Sequence, residues 1–261
     1  MDLELRGKSA LVTGGSKGIG FACAVGLAAE GCRVHIASRS ADELERARAE
    51  IVGRHGVEVT CHPCDLSVTA NAVALARDCG ELDILVNNAG AAPKGRIAQV
   101  DDATWRHAWD LKVFGYINLA REVYAGMRAH GCGVIVNIIG LAGERNQPDY
   151  IVGTSGNASL MAFTRALGAE SVDYGVRVVG INPGRVHTDR QIGHMMVAAE
   201  KKFGDRSRWK EIMAEIAQTL PFKRSARPDE VADLVAFLAS ARASYISATV
   251  VTIDAGQSLR P

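Results

Sequence analysis

The chain has 261 residues, of which 48% are hydrophobic and 23% charged, and its 30 Lys and Arg nearly balance 29 Asp and Glu. These values are ordinary for a soluble globular protein, and a chain of this length can bury a sizeable core without disulfide staples. The formal net charge of +1 excludes a general nucleic-acid or acidic-lipid binder. No apolar run reaches the roughly 18–20 residues of a membrane span, and collagen, coiled-coil and disordered classes are excluded too.

The first eight residues, MDLELRGK, carry charges and no apolar stretch, so we expect no secretory signal and a cytoplasmic location. Six cysteines fit a reducing compartment and need no disulfide framework. The segment Cys61-His62-Pro63-Cys64 has CxxC spacing, but a structural zinc ion needs about four ligands. No second CxxC or HxxxH is present in the sequence. We therefore predict no metal and expect these thiols to pack at a strand end.

Short apolar runs alternate with amphipathic segments along the whole chain. The predicted strands are Ala10–Val12, Arg33–Ala37, Val57–Cys61, Ile84–Val86, Val134–Ile138, Arg177–Ile181 and Thr249–Ile253. The predicted helices are Ile19–Ala29, Asp42–Val52, Thr69–Arg77, Thr104–Met127, Ser159–Val172 and Pro228–Leu238. Strands that are almost continuously apolar are typical of a parallel sheet covered on both faces. The sequence therefore predicts an α/β fold, a single Rossmann-type domain over residues 1–261 with a doubly wound parallel sheet.

The stretch from about Thr188 to Leu220 interrupts this alternation, because it is long and charged and contains no strand pattern. A long excursion at the carboxyl edge of a parallel sheet is where a substrate lid would lie. We expect a lid over about 188–220; the alternative is a solvated helical insertion.

A glycine-rich loop follows the first predicted strand. Leu11–Thr13 runs directly into the segment GGSKGIG at 14–20, after which an amphipathic helix begins. Gly14 permits a tight turn, Gly18 lets the backbone approach a pyrophosphate, and Gly20 allows close helix–strand packing. The spacing is GxxxGxG rather than GxGxxG, but its place between a strand and a helix predicts a dinucleotide site.

The end of the second strand indicates which nucleotide binds. An NAD site usually places an acid there for the ribose 2′-hydroxyl. Here the chain reads Ser38-Arg39, and Lys17 supplies a second cation from the glycine loop. Arginine binds phosphate in bidentate fashion, so we expect NADP(H) rather than NAD(H). For each cation alone, a solvated surface charge is the alternative.

Several motifs then follow in chain order, and together they resemble the short-chain dehydrogenase/reductase family. The matching segments are Thr13–Gly20 (its TGxxxGIG loop), Asp65-Leu66 (DL), Asn87–Gly90 (NNAG), Asn182–Gly184 with Thr188 (PG-x-x-x-T), Pro228–Ala232 (PEEVA) and Asp254–Gly256 (DGG). The resemblance spans about 7–256. It implies seven strands in the order 3-2-1-4-5-6-7, an adenine contact at the DL segment, a nicotinamide cover at the PG segment, and commonly a tetramer.

The cofactor-binding residues expected from the loop, the strand end and the resemblance form one set. They are Gly14, Ser16, Lys17, Gly18, Ile19, Gly20, Ser38, Arg39, Asp65, Leu66, Asn88, Ala89, Gly90, Pro183, Gly184, Val186 and Thr188.

The catalytic segment departs from the family, which uses an Asn, a Ser, and a Tyr and Lys spaced Y-x-x-x-K. Alignment of the flanks places Lys112 at the Asn position, Gly140 at the Ser position, Gly153 at the Tyr position and Asn157 at the Lys position. No Y-x-x-x-K occurs anywhere in the chain. The family's chemistry therefore cannot be carried over unchanged, because the developing alkoxide needs a proton donor.

Substitute groups are available near these positions. Lys112 and Asn157 look like an exchange of Lys and Asn, and Tyr150 lies about one helical turn before Gly153. We take Lys112, Asn157 and Tyr150 as candidate catalytic residues; the alternatives are a snorkelling lysine on a helix flank and a packed or rim tyrosine. Glu144 and Arg145 either shape the substrate pocket or pair with each other, and His187 either flanks the nicotinamide or is a bystander.

Two functions remain open at this point. The first is an NADP(H)-dependent oxidoreductase with an atypical active site, acting on a small carbonyl, hydroxyl or activated-alkene substrate. The second is a catalytically silent or non-redox NADP-binding protein, such as a sensor, a scaffold subunit or a lyase or hydratase. In either case we expect a homo-oligomer, a tetramer or dimer, and no nucleic-acid or membrane partner.

Overall fold

The computed structural model describes residues 2–260. Within this range the chain forms one seven-stranded sheet, all parallel, in the order β3-β2-β1-β4-β5-β6-β7. The strands are β1 Ser9–Thr13, β2 Arg33–Ser38, β3 Val59–Pro63, β4 Ile84–Asn87, β5 Gly133–Ile138, β6 Val176–Pro183 and β7 Thr249–Ile253. The predicted fold class and strand order are confirmed.

Helices cover both faces of this sheet. They are α1 Gly18–Ala29, α2 Ala41–His55, α3 Thr69–Cys79, α4 Asp102–Trp109, α5 Gly115–His130, α6 Ile151–Ser171, α7 Asp189–Phe203, α8 Trp209–Thr219 and α9 Pro228–Ala239. A π-helical stretch, Asp110–Phe114, joins α4 to α5. None of the helices in residues 2–260 combines the length and apolar character that crossing a bilayer requires.

Side chains point alternately to the two faces of the sheet along each strand, and this divides the core into two halves. Val34 and Ile36 of β2 pack with α1, α2 and α9, whereas Leu85 of β4 and Ile135 of β5 pack with α3 and α5 on the other face. Because side chains point to opposite faces with a period of two, strands buried on both sides are apolar almost throughout.

A chain of buried hydrogen bonds ties the middle of the sheet to α6. The Asn87 amide nitrogen donates to Asn137 Oδ1 at 3.0 Å, and the Asn137 amide donates to Thr164 Oγ1 at 3.0 Å. The Thr164 hydroxyl in turn donates to the Leu160 carbonyl at 2.7 Å. Asn87, Asn137 and Thr164 are all buried, so each bond satisfies a group that would otherwise lose its water without compensation.

Several predicted boundaries differ from the structure, among them those of β3, α6 and the long helix over 104–127. β3 begins at Val59 rather than at Val57, and α6 begins at Ile151 rather than at Ser159. Glycines at 153 and 156 weaken the helical pattern at the start of α6, but packing against neighbouring elements outweighs that local penalty. The single helix predicted over 104–127 is α4, the π-helical stretch and α5.

The 188–220 excursion is built from α7 and α8, which share a small core of their own. Met195, Ala199 and Ile212 are its buried members. The excursion therefore has packing of its own, and its role as a substrate lid stays a prediction.

Candidate active site

The glycine loop leaves β1 and enters α1 with two residues in the left-handed region, Gly14 at φ 66° and Gly18 at φ 61°. A Cβ on Gly20 would overlap the Gly14 carbonyl and the Asn88 amide, so a side chain at Gly20 would push the loop apart. Lys17, the residue before α1, makes no side-chain cap. The first backbone N–H groups of α1 are therefore available for an anion, as a pyrophosphate site requires.

Thr13 and Asn88 hold this loop in place. The backbone N–H groups of Asn88 and Ala89 donate to Thr13 Oγ1 at 2.8 and 3.0 Å, and the Asn88 side chain donates to the Thr13 carbonyl at 3.0 Å. The NNAG segment thus supports the glycine loop across the β1–β4 boundary, where the strand order reverses and ligands of this architecture bind.

Two polar side chains at the end of β2 have no hydrogen-bonded partner side chain within residues 2–260. The Ser38 hydroxyl is buried and unpaired, and Arg39 is exposed beside it. Hydrogen bonds from Ser67 to the Asp65 carboxylate keep the pKa of Asp65 low, and the Arg39 guanidinium and His107 contribute to a smaller extent. Arg39 therefore lies near the predicted adenine-contacting segment.

Lys17, which the sequence analysis expects to supply a cation for a 2′-phosphate, is already paired with an acid. Its ammonium forms an ion pair with Glu43 Oε1 at 3.0 Å, and the Ser16 hydroxyl donates to Glu43 Oε2 at 3.4 Å. Glu43 is fixed in the first turn of α2, where its N–H donates to the Ser40 side chain. The sequence analysis missed Glu43 because an acid five residues beyond the strand end does not occupy the usual acidic position.

The PG segment leads into α7, and the residue that caps α7 lies beside the glycine loop. The Gly184 N–H donates to the Ile253 carbonyl at 3.0 Å, which fixes the chain after Pro183, and Val186 bridges to Ala226. Thr188 caps α7, and its methyl group lies 3.6 Å from the position of a Cβ on Gly18. Of the other predicted cofactor residues, Leu66 is buried, and Ile19, in the first turn of α1, packs against the core.

Lys112 points into the protein, so its interpretation as a snorkelling lysine is wrong. It lies in the π-helical stretch and is only 8% exposed. Its Nζ donates to the Ile139 carbonyl at 2.9 Å and lies 5.2 Å from the centre of the Tyr116 ring. Burial lowers the pKa of Lys112 to about 7, and the charge of Arg190 acts in the same direction. π-Helical turns of this kind are frequent at functional sites.

Asn157 meets the same loop from the opposite side. Its amide nitrogen donates to the Gly140 carbonyl at 3.2 Å, next along the chain from the carbonyl that Lys112 binds. Within residues 2–260 its Oδ1 is buried without a partner, so the two residues converge on the loop after β5 but form no hydrogen bond with each other. Gly140 itself has φ 128°, a conformation that disfavours any other residue.

Tyr150 lies over Gly153. A Cβ built on Gly153 would overlap the Tyr150 ring and would lie 2.6 Å from its hydroxyl oxygen. Burial raises the pKa of Tyr150, and the Arg190 guanidinium opposes that increase. The phenol that precedes α6 therefore occupies space that a side chain at 153 would require.

Arg190 connects these groups, and the sequence analysis did not single it out. It lies in the first turn of α7, and its guanidinium donates to the Gly90 carbonyl at 2.7 Å. Burial lowers the pKa of nearby His194, and the charges of Lys94, Arg190 and Arg185 lower it further. Lys94, Arg190 and Arg185 therefore bring positive charge close to this part of the cleft.

Glu144 and Arg145 do not pair with each other within residues 2–260. Glu144 accepts from the Asn182 amide at 2.8 Å and from the Thr252 hydroxyl, whereas Arg145 donates to the Gln257 carbonyl at 2.9 Å. Both residues therefore join the loop after β5 to the β6–β7 edge of the cleft.

Comparison with known proteins decides the family. Residues 14–258 match the family model described as enoyl-(acyl carrier protein) reductase. The chain is 33% identical over 252 residues to acetoacetyl-CoA reductase of Rhizobium meliloti, covering 95% of this chain and 97% of the relative. The chain belongs to the short-chain dehydrogenase/reductase family.

The names of two other similar proteins indicate activity on a sugar or a sugar alcohol. Galactitol 2-dehydrogenase of Cereibacter sphaeroides is 31% identical over 255 residues, which cover 97% of this chain and 96% of the relative. The crystal structure of Gluconobacter frateurii L-sorbose reductase with NADPH and L-sorbose superposes with a TM-score of 0.93 at 32% identity, covering 98% of each chain.

Replacing Lys112 with Met should change how the free energy of unfolding depends on pH. An unfolded lysine keeps its proton to about pH 10, whereas Lys112 in the folded chain loses it near pH 7. The unfolded state then binds more protons between these values, so wild-type stability should rise relative to Lys112→Met from about pH 7 to about pH 10. Urea unfolding across this range measures the difference.

Exposed Lys201→Met is the matched control and should give a stability curve parallel to that of the wild type. A Lys112→Met curve that is equally parallel would show that Lys112 titrates as a solvated lysine.

Proposed function

We propose that the protein is an NADP(H)-dependent oxidoreductase that interconverts a carbonyl and an alcohol, with Tyr150 as the proton donor. The observation that carries this proposal is the position of the Tyr150 ring over Gly153, in space that a side chain at 153 would require. Family membership supports the redox class, and the geometry supports a phenol that enters the cleft from a different backbone position.

The residues at the glycine loop and the end of β2 fit an NADP(H) cofactor. The free N–H groups at the start of α1 suit a pyrophosphate, and the unpaired Ser38 hydroxyl and exposed Arg39 suit a 2′-phosphate. The NADPH in the L-sorbose reductase complex supports the same choice. Glu43 reduces the positive charge available there, because it neutralises Lys17.

Replacing Arg39 with Ala should weaken NADPH binding while leaving NADH binding nearly unchanged. Loss of a charged hydrogen bond to the 2′-phosphate should raise the Kd for NADPH by roughly tenfold to a hundredfold. Fluorescence titration with both nucleotides measures the two Kd values. Equal losses for NADPH and NADH would contradict the assignment.

Two variants provide matched comparisons for Arg39→Ala. Arg33→Ala removes an exposed arginine from the other end of β2 and should leave both Kd values unchanged. Glu43→Gln releases Lys17 and should tighten NADPH binding, an effect of the opposite sign.

Each residue around the reacting carbonyl has a distinct part in the proposed chemistry. NADPH, when bound, supplies a hydride to the carbonyl carbon. The Tyr150 O–H then gives its proton to the carbonyl oxygen, and the positive charge of Arg190 stabilises the phenolate that remains. Lys112 is a positioning residue, because its ammonium is already bound to the Ile139 carbonyl and its alkyl chain packs against Gly90.

The cations at the cleft mouth favour an oxo substrate that carries a carboxylate or phosphate. Lys94, Arg190 and Arg185 all lie close enough to His194 for their charges to lower its pKa. A negative substrate group would relieve that repulsion and would be drawn into the cleft.

Replacing Tyr150 with Phe should lower kcat by about 10²–10⁴-fold, because general acid catalysis typically contributes that much. The Kd for NADPH should stay the same, since Tyr150 is not among the residues expected to hold the cofactor. Steady-state kinetics and fluorescence titration on the same preparations separate the two effects.

Tyr245→Phe is the matched control, because Tyr245 is fully exposed and its hydroxyl should not affect kcat. A Tyr150→Phe enzyme that keeps kcat within about twofold of wild type would remove Tyr150 from the mechanism. NADPH binding without turnover in the wild type would favour the silent, non-redox function.

A further inference from the structure

The segment Cys61-His62-Pro63-Cys64 has no part in the proposed oxidoreductase site, and the structure divides its two thiols. Cys61 packs with the core beside α2, whereas Cys64 packs with the core on the α3 face of the sheet. A single ion therefore cannot be held by both thiols, although their CxxC spacing in the sequence is one that metal ligands use.

His62 instead joins two residues that are distant in the sequence. His35 Nδ1 lies 3.0 Å from His62 Nε2, and Cys79 Sγ lies 3.6 Å from the same nitrogen. One potential ligand atom from each of His35, His62 and Cys79 lies within 4.8 Å of the other two. Both imidazoles are half-buried and the thiol is buried, so the group faces the protein between β2, β3 and α3.

Two of these separations are close to those between ligands around one tetrahedral zinc ion. With Zn–N near 2.0–2.1 Å and Zn–S near 2.3 Å, tetrahedral angles place N and S about 3.5 Å apart and two N atoms about 3.3 Å apart. The observed 3.6 and 3.0 Å are within a few tenths of an ångström of those values. Imidazole and thiolate ligands together suit zinc better than magnesium or calcium.

The geometry points to a binding site for a borderline-soft divalent cation, Zn²⁺ in particular, formed by His35, His62 and Cys79. Three protein ligands leave the fourth tetrahedral position for a water molecule. An ion there would join β2, β3 and α3, which carry ligands 27 and 17 residues apart along the chain. The site is independent of the proposed redox chemistry and lies outside the expected cofactor set.

Titration of the full-length, chelator-treated protein with Co²⁺ tests this site, because cobalt reports its ligands by absorption. We expect one equivalent of Co²⁺ to produce a thiolate-to-cobalt charge-transfer band and visible bands typical of tetrahedral coordination. Zn²⁺ should displace the cobalt and, at about a hundredfold over its Kd, raise Tm by roughly 5 °C or more.

Variants identify the ligands. Cys79→Ser should abolish the charge-transfer band and His62→Gln should weaken binding at least tenfold, with circular dichroism confirming that both variants fold. Cys64→Ser and Cys132→Ser change thiols outside the group and should keep the wild-type spectrum. A charge-transfer band that survives Cys79→Ser, or no saturable Co²⁺ binding to the wild type, would overturn the site and leave a hydrogen-bonded pair of histidines.

Discussion

The buried hydrogen-bond chain from Asn87 through Asn137 to Thr164 sets the geometry on which both halves of the cleft depend. Asn87 ends β4 immediately before Asn88, which holds the glycine loop. Asn137 lies near the end of β5, just before the loop bound by Lys112 and Asn157, and Thr164 lies in α6. An unpaired amide in this core would be costly. The hydrogen bonds therefore fix β4, β5 and α6 in position relative to one another.

With α6 fixed in this way, the absence of a side chain at Gly153 has a direct structural consequence. The Tyr150 ring covers the helix where a Cβ would otherwise protrude. The Asn157 amide donates to the Gly140 carbonyl, while the buried Lys112 reaches the same loop from the π-helical stretch. In the proposed mechanism the phenol, the amide and the ammonium therefore each come from a different backbone position than in the family's pattern.

The fold, and the position of the glycine loop between β1 and α1, were predictable because contiguous sequence patterns determine them. Alternating βα segments and the glycine loop at 14–20 are contiguous in the sequence, and the confirmed strand order followed from the family resemblance. Contacts between distant segments were not predictable. The pairing of Lys17 with Glu43, the bond from Arg190 to Gly90, and the approach of His35 to Cys79 depend on how helices lie over the sheet. The start of α6 was missed because its glycines conceal a helix that tertiary packing stabilises.

Transfer of isotopic label tests most directly whether this cleft performs redox chemistry without a Y-x-x-x-K pair. Wild-type protein would be incubated with NADPH deuterated at the transferable nicotinamide position and a panel of neutral ketoses and negatively charged oxo acids or oxo thioesters. Mass spectrometry of the products should show one deuterium on the former carbonyl carbon, with the charged substrates preferred. Saturable NADPH binding with no label in any product would contradict the account.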